Sequence, residues 1–322
     1  MGRNSGPAWT RHRVLVMLAA VVVGAGLAAV VVGVDSDVVA SPVSGDAQPQ
    51  ARSAAATNTL TTTATPKPTA SSVDATSVPD VDPTQALTAA MGPLSSDKTG
   101  DFSVAVLNQD TGATASFNPA ETYDTASIVK ADILAVLLYQ AQQQGTPLTD
   151  DEDTAATKMI EASDNDAATT LWDDVGSAAG MATANAAFGL RNTVPGADDY
   201  WGLTTTTVAD QLTVMNVLTS SKSPLGASAR TYAANLMHQI EPDQVWGVSA
   251  AADAGTTPAL KNGWLPVDSD NDLWAVNSIG QVSHGGHSYL VAFLSSSQPD
   301  EQTGIDQASA VCKAAVAAVA GR

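Results

Sequence analysis

The chain has 322 residues, with 14 Lys and Arg against 33 Asp and Glu, for a net charge of −19 and a pI near 4.2. That balance excludes polyanionic partners, because nucleic acid and anionic membrane surfaces would both be repelled. A single cysteine, Cys312, excludes an intrachain disulfide; in its Ala-rich amphipathic segment it reads as a small core residue.

Arg3, Arg11 and Arg13 precede Val14 to Val34, a stretch of 21 residues without a charge. Such a run can cross the hydrocarbon core as a helix, with its basic flank kept inside. Val38-Val39-Ala40 before Ser41 also suits signal-peptide cleavage. The expectation is therefore an exported chain, anchored by residues 14–34 or secreted after cleavage near Ala40, with residues 1–40 as tail and anchor. Residues 41–82 are rich in Ser, Thr, Ala and Pro and lack aromatics. They cannot bury enough surface to offset chain ordering, so they read as a disordered tether. Residues 83–322 remain for the folded region, enough for one large domain or two small ones.

The folded region opens with Asp101 to Gly112 and Ala113 to Pro119, two alternating runs that predict a hairpin turning at Gln109-Asp110-Thr111-Gly112. Next comes Thr125 to Gln140, which is almost wholly apolar but sets Ser127 three residues before Lys130. On a helix these two share a face. A lysine in an apolar pocket loses basicity and can accept a proton from the serine. Asp124 or Thr125 is expected to cap this helix. The other Ser-x-x-Lys pair, Ser95 with Lys98, sits in a Gly- and Asp-rich stretch and reads as an exposed turn.

Helical spacing continues through Asp153 to Gly176, Thr204 to Ser221 and Ala227 to Ile240, with Asp150 to Asp153 a favourable helix start. Three strand-like runs follow, Leu260 to Val267, Asp272 to Ser283 and His287 to Ser297, and then a helix from about Glu301 to Ala320. The expected fold class is α/β: one antiparallel five-stranded sheet flanked by terminal helices, plus an all-helical lobe inserted at about 123–244, with the cleft between them.

In this order stand Ser127-Ile128-Val129-Lys130, then Ser163-Asp164-Asn165, then Lys261-Asn262-Gly263. The arrangement resembles the class A β-lactamases and the related penicillin-recognising D,D-peptidases, whose signature is S-x-x-K, S-D-N, K-T-G. The resemblance covers about residues 83–320, and Thr204 to Thr207 looks like the threonine-rich end of that family's omega loop. It implies Ser127 as nucleophile, Lys130 as its base and Ser163 as proton relay. It also implies Asn165 as a substrate and lysine holder and Lys261 as a carboxylate attractor. The oxyanion donors would be the backbone N–H groups of Ser127 and Trp264, with Asn262 and Gly263 contacting substrate. The ligand implied is a small molecule, a β-lactam or a peptidoglycan peptide, with no cofactor and no metal.

Three departures stand out. The omega-loop glutamate that activates the deacylating water is missing, since no Glu occurs from Ala162 through Ile240. Asp198 and Asp199 are the candidate substitute bases. The K-T-G threonine is replaced by Asn262, and the stretch between Lys130 and Ser163 is short. Slow deacylation is the expectation; a non-hydrolytic penicillin- or muropeptide-binding module and a carboxylesterase are the alternatives. Other matches read as turns or packing: Ser269-Asp270-Asn271 as a strand turn, His284-Gly285-Gly286-His287 as a hairpin and His238 as a helix residue.

Overall fold

The computed structural model describes residues 82–96, 100–197 and 200–320. The chain divides into units Met1–Thr76 and Ser77–Arg322, and every described residue belongs to the second. The expected anchor, the cleavage site and the tether up to residue 81 lie outside the described residues, as do Lys98, Asp198 and Asp199. Among the described residues no helix is long and apolar enough to cross a membrane.

Helix α1 (Pro83–Ser96) leads into β1 (Asp101–Asn108) and β2 (Thr114–Phe117). Their turn is held by the Asn108 carboxamide oxygen, which accepts from the backbone of Asp110 and Thr111, while Gly112 supplies a positive φ of 77°. Ser95 is exposed in the last turn of α1, where its hydroxyl donates to the Gly92 carbonyl.

The short strand β3 (Tyr123–Asp124) precedes a 3₁₀ turn, Ala126–Ile128, and then α2 (Val129–Gln144). Ser127 therefore sits in the 3₁₀ turn rather than in the helix proper. The expectation that Asp124 or Thr125 caps this helix is corrected: neither side chain makes a cap hydrogen bond. Instead both carbonyls accept from the Asn277 amide, and the Thr125 hydroxyl donates to the Gly202 carbonyl. The demand for a close fit against the sheet overrides the local preference for a cap.

Helices α3 (Asp150–Glu161), α4 (Asn165–Asp174) and α5 (Ser177–Phe188) follow. A Thr149–Glu152 capping box starts α3, and Asp164 caps α4 by accepting from Ala167. The Thr204–Thr207 run supplies strand β4 (Thr205–Thr206), which pairs with β3, and Thr207 caps α6 (Val208–Thr219); α7 is Ala227–His238. Asp210 on α6 accepts from the Arg191 and Asn192 amides and the Thr193 hydroxyl, tying the intervening loop to the helix.

Strands β5 (Ala259–Val267), β6 (Leu273–His284) and β7 (His287–Ser296) complete the sheet, and α8 (Glu301–Ala320) closes the chain. All pairings are antiparallel in the order β2-β1-β7-β6-β5, so β5 is an edge and β7 joins the last strands to the first. Gly285 and Gly286, at φ of 60° and 80°, make the tight β6–β7 turn between His284 and His287. Ser269-Asp270-Asn271 forms the β5–β6 turn, with Asn271 left-handed, and His238 is exposed at the end of α7.

One apolar core lies under α1 and α8 against the sheet and includes Cys312, whose thiol burial pushes up. The other fills the helical lobe around α2, whose residues Val129 to Leu138 are all buried. Within it lies Asp132, 1% exposed, whose Oδ2 accepts from Asn185 Nδ2 at 2.8 Å. Asp132 Oδ1 and Asn185 Oδ1 have no partner among the described residues. Burial, opposed by the Asn185 hydrogen bond and reinforced by the Asp210 charge, pushes the Asp132 carboxyl up to about 7.

Candidate active site

Strand β5 runs beside the 3₁₀ turn that carries Ser127. Gly263 makes the approach possible, since a Cβ there would stand 2.5 Å from the Ser127 nitrogen and 2.6 Å from that of Ile128. Asn277 on β6 fixes the same turn from beneath: its Nδ2 donates to the carbonyls of Asp124 and Thr125 at 2.8 and 3.0 Å, and its Oδ1 accepts from Ser295. Ala126, directly before Ser127, is held at φ 48°, and Ser163 at φ 54°. Left-handed backbone at two non-glycine residues that flank the site is strain the surrounding packing must hold in place.

These supports bring three motifs together. Lys130 Nζ lies 3.2 Å from Ser127 Oγ, 3.1 Å from Ser163 Oγ and 2.8 Å from Asn165 Oδ1. It also donates to the Ser163 carbonyl at 2.5 Å. Lys261 Nζ lies 2.9 Å from Ser163 Oγ and 2.9 Å from the Asn262 carbonyl. Both lysines are 0% exposed. Burial lowers Lys130 to about 7, only partly offset by the Asp164 charge, and burial together with the nearby Lys130 puts Lys261 well below the ordinary lysine range. A buried amine that is neutral near pH 7 can take the Ser127 proton, and Ser163 connects the two amines.

Asn262 departs from its expected role. Strand alternation turns it away from Lys261 and Gly263, and it is 1% exposed. Its Nδ2 donates to the carbonyls of Gln244 and Trp246 at 2.7 and 3.2 Å, so this amide is not free to meet a substrate. The reading of Asn262 as a donor replacing the threonine is corrected on that ground. Trp264 lies on the β5 edge with its ring edge-on to Trp246 at 5.7 Å.

Sequence reasoning missed Trp201. A 3₁₀ turn, Trp201–Leu203, lays its indole 5.0 Å from Lys130 Nζ, with Nε1 donating to Thr169 on α4. Nothing in local spacing announces this contact, which depends on how the loop from Leu190 folds back. Asn277 was missed too, although a polar residue amid the apolar β6 run is a signal of a buried partner.

With the sheet order, the inserted helices and the meeting of three motifs established, the architecture can be compared with known ones. PBP-A, in a mutant captured as its acyl-enzyme complex with penicillin G, aligns at a TM-score of 0.63 and 20% identity, over 74% of this chain and 97% of that one. TLA-1 extended-spectrum β-lactamase gives 0.66 at 15% identity, covering 73% and 99%. The chain has the class A β-lactamase fold. A class A β-lactamase from Bacteroides cellulosilyticus adds 0.63 at 15% identity, covering 75% and 98%.

No family model matches the chain. In sequence, the chain is 30% identical over 117 residues to "Putative lipoprotein LppW" of Mycobacterium tuberculosis and Mycobacterium bovis. That match spans 36% of this chain and 37% of the mycobacterial protein. The likeness to the solved structures, at 15–20% identity, is one of fold.

Proposed function

We propose that this chain is an exported serine acyl hydrolase that forms an acyl-enzyme on Ser127 and releases the acyl group slowly. The observation that carries this reading is Lys130 Nζ, fully buried and 3.2 Å from Ser127 Oγ, with its basicity lowered to about 7. Neutral Lys130 takes the serine proton as Oγ attacks a carbonyl carbon. The backbone N–H groups of Ser127 and Trp264 stabilise the oxyanion. Ser163 passes the proton to the leaving group, supported by Lys261, while Asn165 orients the substrate. Export is favoured by the charge-free run of residues 14–34 and by the lipoprotein name of the mycobacterial relative.

Slow release follows from the surroundings of the acyl group. No hydrogen bond among the described residues joins a carboxylate to Ser127, Lys130 or Ser163, and the Trp201 ring occupies space beside Lys130. A positioned general base contributes about 10²- to 10⁴-fold, so its loss leaves acylation faster than hydrolysis. Asp198 and Asp199 remain the proposed substitute bases. The placement of Asn262 leaves no side-chain donor at that position for the carboxylate of a β-lactam or D-Ala peptide.

A fluorophosphonate should add one covalent equivalent, mapped to Ser127 by mass spectrometry, and Ser127→Ala should remove it. With p-nitrophenyl acetate, a burst of about one equivalent should precede slow turnover. Labelling that persists in Ser127→Ala would overturn the assignment; absence of labelling in the wild type would leave a non-hydrolytic binding module.

A further inference from the structure

Given acylation on Ser127, we propose that the cleft selects neutral esters carrying an apolar group, and not ligands that must be held by a carboxylate. Two independent sets of observations lead there.

The first concerns cations. Anionic ligands are held by exposed charge or by free donors. Lys130 and Lys261 converge on the site, yet neither exposes any surface, and their nitrogens are already committed to six protein acceptor contacts. The next position along β5, Asn262, spends its amide on the Gln244 and Trp246 carbonyls. Lys158 on α3 stands among Asp151, Asp164 and Asp166, and Arg230 on α7 is bonded to the Leu225 carbonyl. The net charge of −19 opposes the approach of an anion further.

The second concerns apolar exposure. Among the described residues four large apolar side chains are exposed: Val194, Tyr200, Leu203 and Val245, at 63, 44, 38 and 48%. Two of them lie beside Lys130. Tyr200 and Leu203 bracket Trp201, whose ring lies 5.0 Å from Lys130 Nζ. A single exposed apolar residue is ordinary, but two on a turn that is hydrogen-bonded to Thr125, two residues before the reacting serine, form a surface for an alkyl or aryl group.

In the reaction, Ser127 Oγ bonds to the ester carbonyl carbon as its proton passes to neutral Lys130. The carbon–alkoxy bond breaks, and the departing oxygen takes that proton through Ser163 and leaves as the alcohol. Water later cleaves the acyl-serine to a carboxylic acid and the free hydroxyl.

The test uses the full-length chain with phenyl phenylacetate and its 3-carboxyphenyl counterpart, which share one acyl group. Rates of Ser127 acylation are each divided by the rate of alkaline hydrolysis. The neutral ester should react at least tenfold faster in kcat/KM, and each methylene added to a p-nitrophenyl alkanoate should raise kcat/KM, by up to about fourfold where it is fully buried. Leu203→Arg should narrow the preference at least fivefold. Equal or faster reaction of the carboxylate ester overturns this substrate class and leaves acylation on Ser127 intact. Labelling by fluorophosphonate without reaction of either ester does the same. Failure of all three reagents to modify Ser127 removes both readings.

Discussion

Asp132→Asn should stabilise the protein at alkaline pH and remove a component of its pH dependence. Asp132 is enclosed in the helical lobe, with one oxygen bonded to Asn185 and the other unpartnered. Its carboxyl is raised from 3.8 to about 7, first by burial and then by the Asp210 charge. For a raised acid the folded state holds the proton more tightly than the unfolded chain. Stability from this group is therefore full below about pH 4, declines as pH rises, and is lost above about pH 7. The gap corresponds to about 4 kcal/mol in all, of which about 3 kcal/mol falls between pH 5 and pH 8. In the variant an amide pairs with Asn185 in the same place and carries no charge at any pH. Urea denaturation at pH 5 and pH 8 measures the effect: the wild type should lose about 3 kcal/mol more than the variant over that interval, or about 6–12 °C in Tm. Parallel stability curves for the two proteins would refute the reasoning, as would a variant less stable than wild type at pH 8.

The remaining predictions concern the site. Lys130 has its charged form disfavoured, so fluorophosphonate labelling should rise about tenfold per pH unit below about 7 and level off above it; a flat profile from pH 5 to 9 contradicts a titrating lysine base. Gly263→Ala puts a Cβ at 2.5 Å from the Ser127 nitrogen, and the displaced turn should lower labelling about 10²-fold and cost about 1–3 kcal/mol in urea denaturation. Unaltered labelling would mean the turn is free to move. Asn277→Ala should cost about 1–3 kcal/mol in urea denaturation and slow labelling too, because two carbonyls under Ser127 lose their donor. A stability loss without slower labelling would show that Asn277 supports the sheet alone.

Much of the fold could be read from the chain because its signals are local. The Gly285-Gly286 turn, the Thr149–Glu152 cap and the alternation along β6 and β7 each depend on a few neighbouring residues. The order of the three motifs also brought Ser127, Lys130, Ser163, Asn165 and Lys261 to one place. What escaped depends on residues far apart in sequence. Trp201 reaches Lys130 only because the loop folds back, and Asn277 is 152 residues from the Thr125 carbonyl that it holds. Asn262 differs, since two-residue alternation already assigns it to the face opposite Lys261. The motif drew attention to residue type, while the strand period determined direction.

The sheet order makes readiness of the serine depend on chain completion. Ser163 receives Lys261 from 98 residues downstream, and β1 pairs with β7, so that Asp101 meets Ser296. A polypeptide made from its N-terminus presents Ser127 and Lys130 long before β5, β6 and β7 exist. Until those strands dock, nothing presses Gly263 against the 3₁₀ turn, and no second amine reaches Ser163. Such distant pairing slows folding, because a long loop must close before any contact forms in return. During that interval the unfinished protein lacks the pair of amines on Ser163 that the proposed acylation requires, and a chain that stops short of β5 would never gain it.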